Sequence, residues 1–242
     1  MKKGDARREQ LIQTAERLFY TNGYEKTSVQ DILDALHFSK GGFYHHFDSK
    51  LALMEAICQT RTEEICRAAR ANLPKSGSAM EKLGAALRAS ALWNSGERSF
   101  VSLLIGVAYR EDGALMREQM KQSQLAGLID LVEQILREGC QAGDFWASDI
   151  RGTAEMVLRL YMQFTDEMAF LLARGEDGAL AEKMTQKLWL YRDALERVLL
   201  APLGSMVLFE ADDLVALGRA ILAERKAREA REGQPHRNPI DR

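Results

Sequence analysis

The stretch FSKGGFYHHF, residues 38–47, sets two adjacent glycines ahead of a run of rings, with Lys40 its only fixed charge. Ser39 suits a helix N-cap, which puts Phe38 and Phe43 at the two positions of a hydrophobic staple, and Phe47 extends the same apolar face one turn later. A short helix therefore begins here. Just upstream, TSVQDILDAL (residues 27–36) pairs Thr27 with Gln30 in the form of a capping box and places Val29, Ile32, Leu33 and Leu36 on one helical face. Only His37 and Phe38 separate the two helices. Before them, Leu11, Ile12, Ala15, Leu18 and Phe19 mark a bracing helix that Gly23 ends. Two short helices joined by a tight turn and braced by a third outline a helix-turn-helix.

The rest of the 242-residue chain agrees with an all-α protein, since it has only four prolines and is rich in Ala, Leu, Glu, Arg and Met. Further helices are predicted over residues 50–72, 79–94, 99–110, 114–140, 149–174, 178–200 and 209–232. The closing EGQPHRNPIDR offers nothing to bury, so residues 233–242 read as a frayed tail. No apolar run approaches the roughly 18 residues needed to cross a membrane, and the basic start lacks the apolar core of a secretion signal. A cytoplasmic location is expected.

Several chemistries fit the opening stretch poorly. His45 and His46 are neighbours on a helix, pointing about 100° apart, and His37 and His236 form no ligand spacing with them, so no metal site is expected. No G-x-S-x-G, P-loop or dinucleotide fingerprint occurs, and Cys58, Cys66 and Cys140 have no visible partner base. Neither enzymatic activity nor a cofactor is expected. Net charge is −2 overall, and the first fifty residues carry eight basic against seven acidic side chains, so no global field points to nucleic acid.

The glycines raise a sharper question. Each costs a helix about 0.8–1 kcal/mol relative to Ala, and two readings account for the pair. In one, bare backbone lets a duplex approach closely while Lys40 reaches a base edge or phosphate; in the other, the glycines let the helix pack tightly on its neighbours. Tyr44 and His45 lie off the Phe43/Phe47 face and are free to donate to phosphate. Lys50 opposes the dipole of the helix it begins, a placement that an anion docked there would reverse.

The order Thr27, Ile32, Ser39-Lys40-Gly41, Tyr44, His46-Phe47 and Lys50 resembles the DNA-binding domain of the TetR family of transcriptional regulators, over about residues 6–65. The resemblance implies a three-helix DNA-binding head (residues 1–50) and an all-helical effector-binding and dimerisation body (residues 51–232). Two heads of a homodimer would read a pseudo-palindromic operator, most simply as a ligand-responsive repressor. By motif position it implies phosphate contacts from Thr27 and Ser28, base contacts from Lys40, Gly41 and Gly42 with Ser39 at the cap, and backbone contacts from Tyr44, His45, His46 and Lys50. The family's turn usually carries a small residue or glycine where this chain has His37, which tolerates a left-handed backbone better than most residues.

In the body, Trp93, Phe100, Leu103, Leu104, Val107, Met116, Met120, Met162 and Phe164 are candidates to line a cavity for an apolar small-molecule effector. Residues 153–172 and 184–200 are apolar on more than one face, and the resemblance implies a four-helix dimer bundle there, through Leu160, Phe164, Leu188, Trp189, Tyr191 and Leu195. The ERKAREARE run near the end reads as a solvated face. A helical small-molecule-binding or interaction protein that keeps the head for packing alone is the rival reading.

Overall fold

A computed structural model describes residues 3–91, 98–109, 113–175 and 178–233. Ten helices follow in order among them: α1 (Lys3–Asn22), α2 (Val29–Leu36), α3 (Lys40–Tyr44), α4 (Lys50–Ala71), α5 (Ala79–Ala89), α6 (Arg98–Ala108), α7 (Ala114–Ala142), α8 (Ile150–Arg174), α9 (Leu180–Val198) and α10 (Ala211–Gly233). Of the expected frayed tail, residues 234–242 lie outside the described residues.

Local chemistry sets the boundaries of the head. Gly23, at φ 88°, ends α1. The box that opens α2 sits one residue later than the sequence suggests: Ser28, not Thr27, is the N-cap, and Asp31 returns the bond to the Ser28 backbone. His37 adopts the left-handed conformation (φ 53°, ψ 44°) that the turn into α3 requires, a strain that histidine bears better than a β-branched residue. Ser39 caps α3 by accepting from Gly42 N–H at 3.2 Å.

Packing does not divide at residue 50. The head cluster built on Leu11, Phe19, Ile32, Leu33, Phe43 and Phe47 runs on through Leu53, Met54 and Ile57 of α4, and into Phe100, Leu103, Leu104 and Val107 of α6. The opposite face of α6, through Val101 and Ile105, belongs to the body cluster with Leu158, Tyr161, Phe164 and Leu188. One short helix is thus cemented into both cores.

The body stacks α4, α5, α7, α8 and α9, and α10 closes it across α6, α8 and α9. Arg225 of α10 donates to the carbonyls of Leu172 and Ala173 at 3.0 and 2.7 Å, among the last acceptors at the end of α8. A Cβ on Gly106 of α6 would stand 2.8 Å from Nη2 of Arg228. The arginine-rich end of α10 is therefore not simply a solvated face, because Arg225 and Arg228 turn inward. The loop before α10 hangs on Glu196, which is fully buried and accepts from Gly204 N–H and Met206 N–H at 2.8 Å each.

Candidate nucleic-acid interface and ligand cavity

The three phenylalanines expected to hold α3 down do so, Phe43 and Phe47 buried and Phe38 half-buried against the same cluster. What remains outward is a compact polar surface. Ser39, Lys40, Gly41 and His45 are exposed, and Tyr44 is 56% exposed with its ring edge-on to Phe43. Ser28 is exposed too, although its hydroxyl donates to Asp31 at 2.7 Å.

Four of the expected contacts are placed differently. Thr27 is fully buried, and its hydroxyl donates to the Gly23 carbonyl at 2.8 Å, so it braces the turn after α1 and cannot reach a phosphate. Gly42 lies under the Phe38 ring, where an added Cβ would stand 3.0 Å from Cδ1, whereas Gly41 faces open space. The glycine pair therefore splits between the two readings: Gly42 serves packing, and only Gly41 lacks an internal reason to be bare. His46 is half-buried and lines a cleft toward α7. Lys50 reaches back to the head, its ammonium donating to the Tyr24 carbonyl at 2.8 Å and lying 4.2 Å from the Tyr24 ring centre. Burial there lowers its pKa against the opposing pull of Glu25.

Two cations that motif reasoning passes over join this surface. Arg7 and Arg8 sit over the rings of Phe38 and Phe47, 5.6 and 5.2 Å from their centres, in cation–π geometry. The signal was a basic pair one turn ahead of Leu11, the first buried residue of α1. Among the described residues no three His, Cys, Asp or Glu side chains gather as metal ligands.

The cleft lined by His46 opens between head and body. It holds about 380 Å³ among Arg8, Phe47, Glu55, Gln59, Met116 and Met120. Deeper in the body lie two small lobes of about 40 Å³ each, which share Leu104, Tyr109, Gln124 and Thr165. One lobe is mainly apolar, with Val101, Ile105 and Ala169. The other adds Arg117, Met120, Lys121, Met162 and Asp166. Asp166 accepts from Tyr109 at 2.7 Å and from Lys121 at 3.1 Å. Burial first, then the Asp166 charge, pushes the Tyr109 phenol well above its ordinary range.

This geometry revises the sequence-derived cavity. Leu104, Met120 and Met162 line the lobes, and Met116 lines the outer cleft. Phe100, Leu103, Val107 and Phe164 are sealed in the two cores, because an amphipathic helix buried on both sides shows few of its apolar residues to a void. Trp93 lies outside the described residues. The polar members were missed, since charged residues at helical spacing read most simply as solvent-facing.

The implied dimer surface also changes. Phe164, Leu188, Tyr191 and Leu195 are spent inside the monomer and Leu160 is half-buried, leaving Trp189 exposed beside Leu190, with Met156 exposed on α8. Two of the three thiols are buried: burial raises Cys58 to about 12 and Cys66 to about 11, which leaves these two little nucleophilic thiolate at neutral pH.

Comparison with known proteins matches residues 11–57 to the family of bacterial regulatory proteins, tetR family. The HTH-type transcriptional repressor Rv1474c of Mycobacterium tuberculosis is 38% identical over 64 residues, covering 26% of this chain and 34% of that protein. The HTH-type transcriptional repressor KstR2 of Mycolicibacterium smegmatis is 32% identical over 85 residues, 35% of this chain and 42% of its own. The chain thus matches well under half the length of these curated relatives. Beyond the head the likeness is one of fold. A TetR-family regulator from Pectobacterium atrosepticum superposes with a TM-score of 0.63 at 20% identity, covering 83% of this chain and 97% of the other. GusR of Salmonella enterica gives 0.54 at 22% identity, covering 83% and 99%.

Proposed function

We propose that the chain, whose residues 11–57 match the family of bacterial regulatory proteins, tetR family, is a ligand-responsive transcriptional regulator that binds operator DNA as a homodimer and represses from it. The observation that carries this reading is the outward face of α3. Ser39, Lys40, Gly41, Tyr44 and His45 are exposed together on an element that three phenylalanines hold in place. Lys40 and Gly41 meet base edges, Tyr44 and His45 donate to phosphate, and Arg7 adds charge beside Phe38. Two copies of α3 enter successive major grooves about 34–36 Å apart. Such a protein works beside the chromosome, in the cytoplasm.

Ligand response follows from α6. Val101, Leu104 and Ile105 of that helix face the body lobes, while Phe100, Leu103 and Val107 are packed into the head cluster. A ligand that widens the lobes displaces α6, and close-packed cores transmit the shift to the head because they cannot absorb it locally. The heads then leave the half-site spacing, so the ligand selects the released state.

The test is a fluorescence-anisotropy titration of the full chain on DNA from its neighbouring intergenic region. Binding is expected to weaken steeply with salt, and Lys40→Ala and Tyr44→Ala are each expected to abolish specific binding with helicity unchanged. Wild-type affinity in both variants rejects the assigned contacts, and no sequence-specific binding by the unmodified chain rejects the function.

A further inference from the structure

We propose that the effector is a small amphipathic monocarboxylic acid, its carboxylate held by Arg117 and Lys121 and its hydrocarbon part lying along Val101, Leu104 and Ile105. The inference rests on the ligand-responsive reading above and replaces the purely apolar effector expected from sequence.

The two lobes differ in kind. Among the described residues the polar lobe contains two cations and one carboxylate, and the apolar lobe contains no charged side chain. Both oxygens of Asp166 are already engaged, Oδ1 by the Tyr109 hydroxyl and Oδ2 by the Lys121 ammonium. A cationic ligand would therefore have to share Asp166 with Tyr109 and Lys121 and lie against the like charges of Arg117 and Lys121. An anion meets the reverse situation. The Arg117 guanidinium lies 5.2 and 5.1 Å from the ring centres of Tyr109 and Phe170 and donates to the Ala108 carbonyl. A guanidinium has five N–H donors, so a fork remains for a carboxylate. Lys121 likewise has donors beyond the one given to Asp166.

Size bounds the ligand as well. Each lobe holds about 40 Å³, well short of the roughly 150 Å³ that a single ring fills, so only a small ligand enters, and it must join the two lobes by moving Met120 and Met162 of the polar one. Methionine can adjust because its three rotatable bonds let it refill an altered space.

The experiment is isothermal titration calorimetry of the full-length protein, without DNA, against hexanoate, hexan-1-ol, hexylamine and benzoate. One carboxylate per chain is expected to bind, at least about tenfold more tightly than the alcohol or the amine, a difference of about 1.4 kcal/mol. Arg117→Met and Lys121→Met are each expected to weaken the carboxylate about tenfold or more and to leave the alcohol unchanged. Should Arg117→Met fail to fold, Lys121→Met carries the comparison. Equal or tighter binding of hexylamine, unchanged carboxylate affinity in the folded variants, or no carboxylate binding below about 1 mM each overturns the proposal. Operator binding that no carboxylate relieves overturns it alone, whereas failure to bind DNA overturns the regulatory reading and leaves the calorimetric result standing.

Discussion

Gly42 lies beneath the ring of Phe38, where a methyl group would stand 3.0 Å from Cδ1, while its neighbour Gly41 faces nothing within 4 Å. Two adjacent glycines in one helical turn thus answer to different constraints, one inside the chain and one outside it. Gly41→Ala is expected to stabilise the head by up to about 1 kcal/mol and to weaken operator binding at least about tenfold, because the new methyl meets DNA. Gly42→Ala gains the same propensity but must push Phe38 aside, so its net stability gain is smaller. Chemical denaturation and anisotropy on the two variants separate these effects, and Gly41→Ala with undiminished DNA binding refutes the close approach.

Thr27 and Lys50 are bracing residues by geometry. Thr27→Val leaves the buried Gly23 carbonyl without the hydroxyl that donates to it, a loss of about 1–3 kcal/mol. The folded fraction is expected to bind DNA normally. Lys50→Met removes the bond to the Tyr24 carbonyl and the contact with its ring, and its effect on DNA affinity should track its effect on head stability. A loss of affinity at full stability in either variant restores a direct phosphate contact.

The proposed dimer would pair through residues that the single chain leaves outside, Trp189 and Leu190 among them. Trp189→Glu combined with Leu190→Lys is expected to shift the protein to monomer in sedimentation velocity and to retain its thermal stability as a folded chain. Phe164→Ala, by contrast, hollows the body core and is expected to cost about 3–5 kcal/mol. A double variant that remains dimeric moves the interface elsewhere.

Alkaline pH reads the cavity network. Burial and Asp166 raise the folded-state pKa of Tyr109 above its unfolded value of about 10. Its contribution to stability is therefore fully present below about pH 10 and is lost as pH rises from there toward the folded-state pKa. Tyr109→Phe is expected to be less stable at pH 8 and to lose less stability above pH 10, measured by denaturant midpoints across that range. In the same samples Cys140, half-buried, is expected to react with a thiol reagent before Cys58 and Cys66, whose thiols burial holds up to about 12 and about 11.

The sequence by itself determined the helical class, the order of the elements and the turn between α2 and α3. Each of these is written in local signals: apolar spacing, capping residues, and a residue at 37 able to turn left-handed. It also placed Lys40, the glycine pair, Tyr44 and His45 on the outward side, because a helix of little more than one turn has one buried side and Phe38, Phe43 and Phe47 occupy it; of that set all but Gly42 are exposed. Only the tertiary structure decided that Thr27 faces inward, that Gly42 serves Phe38, that Lys50 reaches Tyr24, and that Phe164 and Leu195 belong to the core of one chain. Only the tertiary structure, too, brought Tyr109, Arg117, Lys121 and Asp166 to one cavity wall. Those placements depend on which face of a helix meets which neighbour, and residues as far apart as Lys121 and Asp166 or Tyr109 and Asp166 carry no mark in sequence of being beside one another.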